Sequence, residues 1–284
     1  MSWPSPPAVT ATPTTATPAR PRSMTTPPSR PAPPWPPSRR PGRSPSAPSS
    51  TSPASASRAC PATRSFDVEI GKIIAGGLGI EGDDITWVET PSAVRETVIE
   101  DGDVSLVAAT YTINDERKER ITFAGPYYVA GQQIMVRSDD TAITGPDAFK
   151  ADSKLKVCSV AGSTPADNIG EYLASPGQLV TFDVYSKCAD ALRNNQVDAV
   201  TTDNVILLGL VGDSDGAFKV VGDTFTEEPY GIGVKKGDVE FCNYIVDTLK
   251  KASEDGSYEK AWTSTAGKVE GSEVPTLPTA DACA

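Results

Sequence analysis

From residue 66 onward, short apolar runs of strand length alternate with amphipathic segments of helix length. Residues 104–109 form a nearly continuous apolar run, which is typical of a buried parallel strand, and residues 66–77 carry apolar side chains at helical spacing. Such alternation is typical of parallel strands connected by helices, so it predicts an α/β fold with mostly parallel sheets. Breaks at residues 127–131 and 223–230 divide the alternation into an outer and a central part, which indicates an inserted second lobe.

The individual elements follow from the same patterns. The predicted strands cover residues 85–89, 104–109, 132–137, 155–159, 180–182, 197–201, 218–221 and 231–234, and the predicted helices cover residues 66–77, 92–100, 146–150, 165–173, 186–194, 204–210, 239–252 and 258–263. Ser92 is the predicted N-cap of the second helix.

Residues 1–65 differ in composition from the rest of the chain. They hold 18 of the 26 prolines, contain no Asp, Glu, Lys, Leu, Ile or Phe, and take their charge from eight arginines. Because such a segment buries too little apolar surface to offset chain entropy, disorder is predicted for residues 1–65. All 37 acidic residues follow residue 65, against 18 basic ones, and this net charge of −19 argues against nucleic-acid binding.

Cysteine usage indicates an exported protein. Cys158, Cys188, Cys242 and Cys283 form an even set in the acidic part, while Cys60 lies in the segment predicted to be disordered. Two disulfides are favoured, with unpaired buried thiols as the alternative. No metal site of the Cys/His type is expected, because the chain has no histidine and no C-x-x-C pattern. Neither a membrane span nor a signal peptide is recognisable in the sequence.

Polar side chains and an arginine follow the apolar run at residues 104–109. Thr110 and Thr112 come at its end, and Arg117 lies a few residues further on. Ligands of open α/β sheets bind at strand ends, and a guanidinium matches a carboxylate bidentately. The stretch therefore predicts a site for a small carboxylate ligand. A solvated helix face is the alternative for Arg117, which lies within the charged run DERKER.

The chain carries five motifs in a recognisable order: FDVEIGKIIAGGLG, TYTINDERKERITFAGPYYVAGQ, VCSVAGSTPADNI, VDAVTTDNVIL and EEPYGIGVKKGD. With these motifs it resembles the polar-amino-acid substrate-binding proteins of ABC importers, above all the glutamate-binding subgroup, from residue 66 to about residue 267. The resemblance implies a two-lobed, type II periplasmic-binding-protein-like fold with two hinge crossings, which closes on an amino acid. Lobe 1 is expected over residues 66–130 plus 229–284, and lobe 2 over residues 131–228.

The resemblance also implies how the amino and carboxyl groups of the ligand are bound. Arg117 is expected to bind the α-carboxylate with help from Thr112 and from the main chain at Thr110. Asp203 is expected to accept the α-ammonium; N-capping of the following helix is the alternative, and both roles can coexist. The tyrosines at residues 127–128 fit hinge packing better than ligand stacking.

Four further contacts are implied. Ser163 and Thr164 resemble the second-lobe carboxylate contacts, at the start of a helix where free N–H groups favour an anion; a role as caps only is the alternative. Arg95, with Ser92 nearby, matches the arginine that glutamate and aspartate binders aim at the side-chain carboxylate, and a surface position is the alternative. Val94 stands where several such proteins carry Asn.

At the N-terminus the resemblance predicts a reading-frame slip. The family begins lobe 1 with a strand similar to IGTKFDQPGLGL, where this chain reads SPSAPSSTSPASAS. A one-base shift across residues 43–57 can spell KLTIGTKFDQPGLGL. The first strand, the export signal and any lipid-anchor cysteine are then expected to be missing from the chain as written. A genuine disordered linker is the alternative.

The implied function is that of a non-catalytic extracytoplasmic receptor. It captures L-glutamate or a close analogue and delivers it to an ABC permease in the membrane, and the intact family member is a cell-surface lipoprotein. A monomer without cofactor or metal is expected, with its disulfides pairing Cys158 with Cys188 and Cys242 with Cys283. Glutamine and aspartate are alternative ligands. A dehydratase-type enzyme on the same fold is disfavoured, because no histidine is present for proton transfer.

Overall fold

The computed structural model describes residues 47–48, 61–268 and 272–284, all within one compact unit, Pro41–Ala284. The strands are β1 (Ala47–Pro48), β2 (Leu106–Ala108), β3 (Ile121–Ala130), β4 (Gln132–Arg137), β5 (Val157–Val160), β6 (Leu179–Phe182), β7 (Ala199–Asp203), β8 (Phe218–Val221) and β9 (Glu228–Lys235). The α-helices are α1 (Pro61–Gly77), α2 (Arg95–Glu100), α3 (Asp115–Arg120), α4 (Ala148–Ala151), α5 (Thr164–Asn168), α6 (Tyr185–Arg193), α7 (Asn204–Gly212), α8 (Val239–Glu254) and α9 (Ser257–Thr263). Among the described residues, no helix has the length and apolarity needed to cross a bilayer.

The strands form two sheets, which the chain joins by two crossings. Sheet A has the order β1-β2-β9-β3, and sheet B has the order β6-β5-β7-β4-β8. The chain leaves sheet A through Gly131, the single residue between β3 and β4, and returns between β8 and β9. The predicted α/β class and the two crossings are therefore confirmed.

The prediction that the sheets are mostly parallel is wrong, because more of the described strand pairs are antiparallel than parallel. The pairs β1–β2, β5–β6 and β5–β7 are parallel, whereas β2–β9, β3–β9, β4–β7 and β4–β8 are antiparallel. All four antiparallel pairs contain β4 or β9, which are the first strands after the two crossings. The first strand after each crossing is thus antiparallel to its neighbours. The alternation of strands and helices in the sequence does not reveal this strand direction.

Sheet A is buried on both faces. Leu106 and Ala108 of β2 pack in one apolar cluster with Ile70 of α1, while Val107 packs in a second cluster with Ile99 of α2. Successive residues of a strand point to opposite faces, so this division matches the continuous apolar character of the predicted strand. The end of β2 is in this way held rigidly between helices, and the polar residues that follow it are fixed in position.

Three predictions about the N-terminal part differ from the structure. Residues 85–89 are not a strand, and none of the described strands pairs with them. Ser92 lies inside a short 3-10 helix, Ser92–Val94, and makes no capping hydrogen bond among the described residues. The disorder predicted over residues 1–65 does not hold for Ala47–Pro48, which pair with β2, or for the start of α1 at Pro61. The rest of that segment and the predicted frame slip lie outside the described residues.

Each disulfide closes a loop next to a single sheet. Cys158 of β5 is bonded to Cys188 of α6 beside sheet B. Cys242 of α8 is bonded to Cys283 of the C-terminal tail beside sheet A. Both predicted pairings are confirmed.

We expect the double variant Cys242→Ser/Cys283→Ser to lose about 2–4 kcal/mol of unfolding free energy, because the bridge closes a loop over a sequence separation of 41. Urea denaturation monitored by circular dichroism measures this loss, and a non-reducing peptide map serves as the control that Cys158–Cys188 is still bonded. An unfolding free energy equal to that of the unmodified protein would contradict the stabilising role of the bridge.

Candidate functional site

A small polar cavity lies between the ends of the two sheets. Its lining contains all eight residues predicted to bind the ligand, together with three that the sequence did not single out. The lining residues are Ser92, Arg95, Thr110, Thr112, Arg117, Ser163, Thr164, Pro165, Tyr185, Asp203 and Ile206. The first five come from segments next to sheet A and the other six from segments next to sheet B, so the structure brings together residues that are far apart in the chain.

Arg117 is buried, so the alternative of a solvated helix face does not hold. Asn114 caps α3, its side chain accepting a hydrogen bond from the Arg117 N–H at 2.8 Å. The guanidinium donates from Nη1 to the Thr112 carbonyl at 2.7 Å and from Nη2 to the Gly162 carbonyl at 3.2 Å. Each terminal nitrogen carries two N–H groups, and the described residues accept from one on each, so the other can bind a carboxylate.

Glu96 and Tyr111 support this arginine from behind. Glu96 Oε1 lies 3.3 Å from Arg117 Nε and accepts a hydrogen bond of 2.7 Å from the Tyr111 hydroxyl. The Tyr111 ring centroid lies 5.0 Å from Arg117 Cζ and 5.2 Å from Arg95 Cζ. Aromatic faces attract cations at such distances, so one tyrosine contributes to holding both arginines.

Arg95 is a second buried cation, and neighbouring groups balance its charge less well than that of Arg117. It is 8% exposed, which rules out the surface alternative, and its Nε donates to the Thr90 carbonyl at 3.1 Å. No carboxylate among the described residues forms an ion pair with it. Burial lowers the pKa of Arg95, and repulsion by Arg117 lowers it further. An anionic group of a ligand would offset this unpaired charge.

Asp203 is the acid of the cavity. It ends β7, is 3% exposed, and its Oδ2 accepts a hydrogen bond of 2.6 Å from the Tyr230 hydroxyl. Its Oδ1 is buried and accepts no hydrogen bond from the described residues. Burial and the nearby Glu228 raise the pKa of Asp203 to about 7. The side chain makes no capping bond to α7 within the described residues, so the capping alternative is not realised.

Ser163 and Thr164 begin α5 and face the cavity in different ways. Ser163 Oγ accepts from the Ala166 N–H at 3.3 Å, so the capping role named as its alternative is present. Thr164 Oγ1 lies 2.8 Å from Glu228 Oε2 and 3.1 Å from Thr112 Oγ1. The Thr112–Thr164 contact joins the two sides of the cavity directly.

Asp67 of α1 is an important residue that the sequence reasoning missed. Its Oδ1 accepts from the Tyr127 hydroxyl at 2.6 Å, and its Oδ2 accepts from the Thr110 N–H at 2.9 Å. Thr110 has a positive φ of 43°, which is uncommon outside glycine, and the bond to Asp67 holds it there. Burial raises the pKa of Asp67 to about 7. The available signal was an acid on the same helix face as Ile70 and Ile74.

The two hinge tyrosines pack as predicted. Tyr127 is fully buried and contacts the ring of Phe66 at a centroid distance of 6.1 Å. Tyr128 stacks on Trp262 at 5.1 Å. Neither ring lines the polar cavity, and the described residues contain no cluster of side chains suited to a metal ion.

Gly162 lies where the main chain of one side of the cavity comes close to the other side. Its φ is +73°, and a Cβ added there would lie 3.0 Å from Ala93 Cα and 3.2 Å from Ala93 Cβ. The same residue supplies the carbonyl that accepts from Arg117. Only a residue without a side chain allows this approach at no steric cost.

We expect Gly162→Ala to weaken ligand binding by about 10-fold or more, because the new methyl group pushes against Ala93 and separates the two sides of the cavity. Gly256→Ala is the matched control, since Gly256 also has a positive φ of +80° but no described atom within 4 Å of an added Cβ. Calorimetric titration with an amino acid measures the difference. Equal affinity of both variants would show that the close approach at Gly162 is not needed.

Comparisons with known proteins agree with this architecture. The family model for bacterial extracellular solute-binding proteins, family 3, matches residues 63–264. The glutamate-binding protein GluB of Corynebacterium efficiens is 40% identical over 212 residues, which cover 71% of this chain and 71% of that protein. The ABC transporter glutamine-binding protein GlnH of Bacillus subtilis is 35% identical over 197 residues, covering 69% and 70%.

Solved structures show the same fold. An ancestral arginine-binding protein bound to glutamine has a TM-score of 0.65 and 32% identity, and the match covers 73% of this chain and 88% of that one. The two-lobed, type II periplasmic-binding-protein-like fold predicted from the sequence is thereby confirmed.

Proposed function

This chain belongs to the bacterial extracellular solute-binding proteins, family 3, and we propose that it captures L-glutamate, or a closely related polar amino acid, for the membrane permease of an ABC importer. It is a binding protein and not an enzyme, in line with the names of GluB and GlnH. The family is extracellular. Anchoring to the cell surface as a lipoprotein and action as a monomer are parts of the proposal.

The proposal rests above all on opposite charges that face one small cavity without being paired to each other. Arg117 keeps a donor on each terminal nitrogen, and Asp203 Oδ1 accepts no hydrogen bond from the described residues. An α-amino acid carries its carboxylate and its ammonium on the same carbon atom, so it can satisfy both groups at once. In this assignment Thr112, Thr164 and Ser163 complete the carboxylate contacts.

The preference for glutamate is assigned to Arg95 and Ser92. Arg95 is buried and has no ion pair within the described part of the chain, so a side-chain carboxylate would stabilise it more than a neutral amide would. Glutamine is the runner-up ligand, because the Arg95 donors can also bind an amide oxygen. GluB and GlnH carry names that correspond to these two alternatives.

We further propose that the lobes are residues 66–130 plus 229–284 and residues 131–228, as the sequence suggested. Sheet A and sheet B lie in these two parts respectively, and β1 together with the start of α1 extends the first part. Closure would bring Arg117 to Gly162, Thr112 to Thr164 and Tyr230 to Asp203, and these three contacts are present in the structure.

We expect the full chain to bind L-glutamate in a calorimetric titration, and Arg117→Met to weaken that binding by about 100-fold or more, because a buried charge pair loses its cation. Arg120→Met is the control: it removes an arginine from the same helix, but Arg120 is exposed and pairs with Glu100. Titrations with glutamine, aspartate and arginine complete the panel. If none of the four amino acids binds, the proposed function is wrong.

We expect Arg95→Met to reduce the affinity for glutamate by about 10-fold or more and the affinity for glutamine by less, because only glutamate carries the charge that pairs with Arg95. Competition titrations with both ligands on both proteins give the ratio of the affinities. Should the ratio remain that of the unmodified protein, Arg95 does not read the ligand side chain.

A further inference from the structure

Tyr230 lies at a special position between the two sheets. It belongs to β9, where it pairs with Tyr128 of β3 and forms an isolated bridge with Thr112. It is 1% exposed, and its hydroxyl donates to Asp203 Oδ2 at 2.6 Å. The hydrogen bond therefore runs from a strand of sheet A to the last residue of β7 in sheet B.

Because of this bond, the two oxygens of the Asp203 carboxylate have different surroundings. Oδ2 is held by Tyr230, whereas Oδ1 is buried and accepts no hydrogen bond from the described residues. We propose that Tyr230 is a positioning residue for ammonium recognition, which holds Oδ2 by its hydrogen bond so that Oδ1 is oriented toward the ammonium group of the ligand. This inference rests on the proposed function, because it concerns how that function's ammonium site works.

The surroundings of Asp203 explain why such support is needed. Burial raises the pKa of Asp203, the negative charge of Glu228 adds to the rise, and the balance of all neighbouring groups places it at about 7. The hydrogen bond from Tyr230 lowers this pKa, as do the charges of Arg95 and Arg117. Burial raises the pKa values of Tyr128 and Tyr185, and the nearby charge of Asp203 raises both further.

A tyrosine is well suited to this task. Burial and the Asp203 charge raise the pKa of Tyr230 well above its usual range, so the hydroxyl keeps its proton at all moderate pH values. It therefore donates a hydrogen bond without bringing a positive charge. A lysine or arginine at the same place would neutralise Asp203 and compete with the ammonium group of the ligand.

The inference predicts a particular pH dependence. A carboxyl whose pKa is raised becomes neutral as the pH falls through that value, and a neutral Asp203 no longer attracts an ammonium ion. Ligand affinity should therefore fall as the pH drops through about 7 in the unmodified protein. Loss of the Tyr230 hydroxyl removes a bond that favours the ionised form, so the fall should begin at a higher pH.

The experiment is calorimetric titration of the full chain with L-glutamate from pH 5.5 to 9. For Tyr230→Phe we expect affinity about 10-fold weaker at pH 7, with the acid-side midpoint moved upward by at least half a pH unit. Tyr258→Phe is the matched control, because its buried hydroxyl donates to the Tyr127 carbonyl at 2.7 Å, away from Asp203. It should follow the unmodified protein at every pH.

Glu228→Gln supplies an independent variant with the opposite sign. Removing this negative charge lowers the pKa of Asp203, so its acid-side midpoint should move downward. Denaturation midpoints of all variants establish that they are folded. A Tyr230→Phe protein with weaker binding but an unchanged midpoint would overturn the inference, and so would a Glu228→Gln midpoint that does not fall. Failure of the unmodified protein to bind any amino acid would instead refute the proposed function.

Discussion

The burial of the Arg117 guanidinium is the constraint on which the rest of the site depends. A buried cation is tolerated only where hydrogen bonds and opposite charge replace its hydration. Arg117 obtains these from the Thr112 carbonyl and Glu96 on the sheet A side, and from the Gly162 carbonyl on the sheet B side. Both sides of the cavity therefore contribute to holding this one side chain.

The other charges of the cavity are less completely balanced. Arg95 forms no ion pair, and Asp203 Oδ1 accepts no hydrogen bond, among the described residues. Each of these costs free energy in a buried site. In the proposed complex a dicarboxylic amino acid offsets both costs, because its side-chain carboxylate pairs with Arg95 and its ammonium group binds Asp203 Oδ1. A ligand that lacks one of these two groups leaves a buried polar group of the protein unpaired. Discrimination between ligands would therefore depend more on the free-energy cost of that unpaired group than on the shape of the cavity.

The sequence revealed those parts of the site that depend on local pattern. Arg117 was predictable because it follows a buried strand within a few residues, whereas Asp203, which ends β7, was predicted from the family resemblance. Glu96 and Tyr230 were not, since their contacts join residues far apart in the chain and depend on how the sheets are placed. The wrong prediction of a strand at residues 85–89 has the same cause. A strand forms only beside a partner strand, and the sequence pattern does not show whether that partner is present.

The disulfides show how stability and motion can be separated in this fold. Cys158–Cys188 lies beside sheet B and Cys242–Cys283 beside sheet A, so neither bridge joins the two sheets. A crosslink lowers the entropy of the unfolded chain only for the loop that it closes. Each half is thus stabilised by itself, while the connection between halves is left to the two crossings and to polar contacts around Arg117 and Asp203. Because those contacts involve the residues proposed to bind the ligand, ligand binding would favour closure in the proposed mechanism.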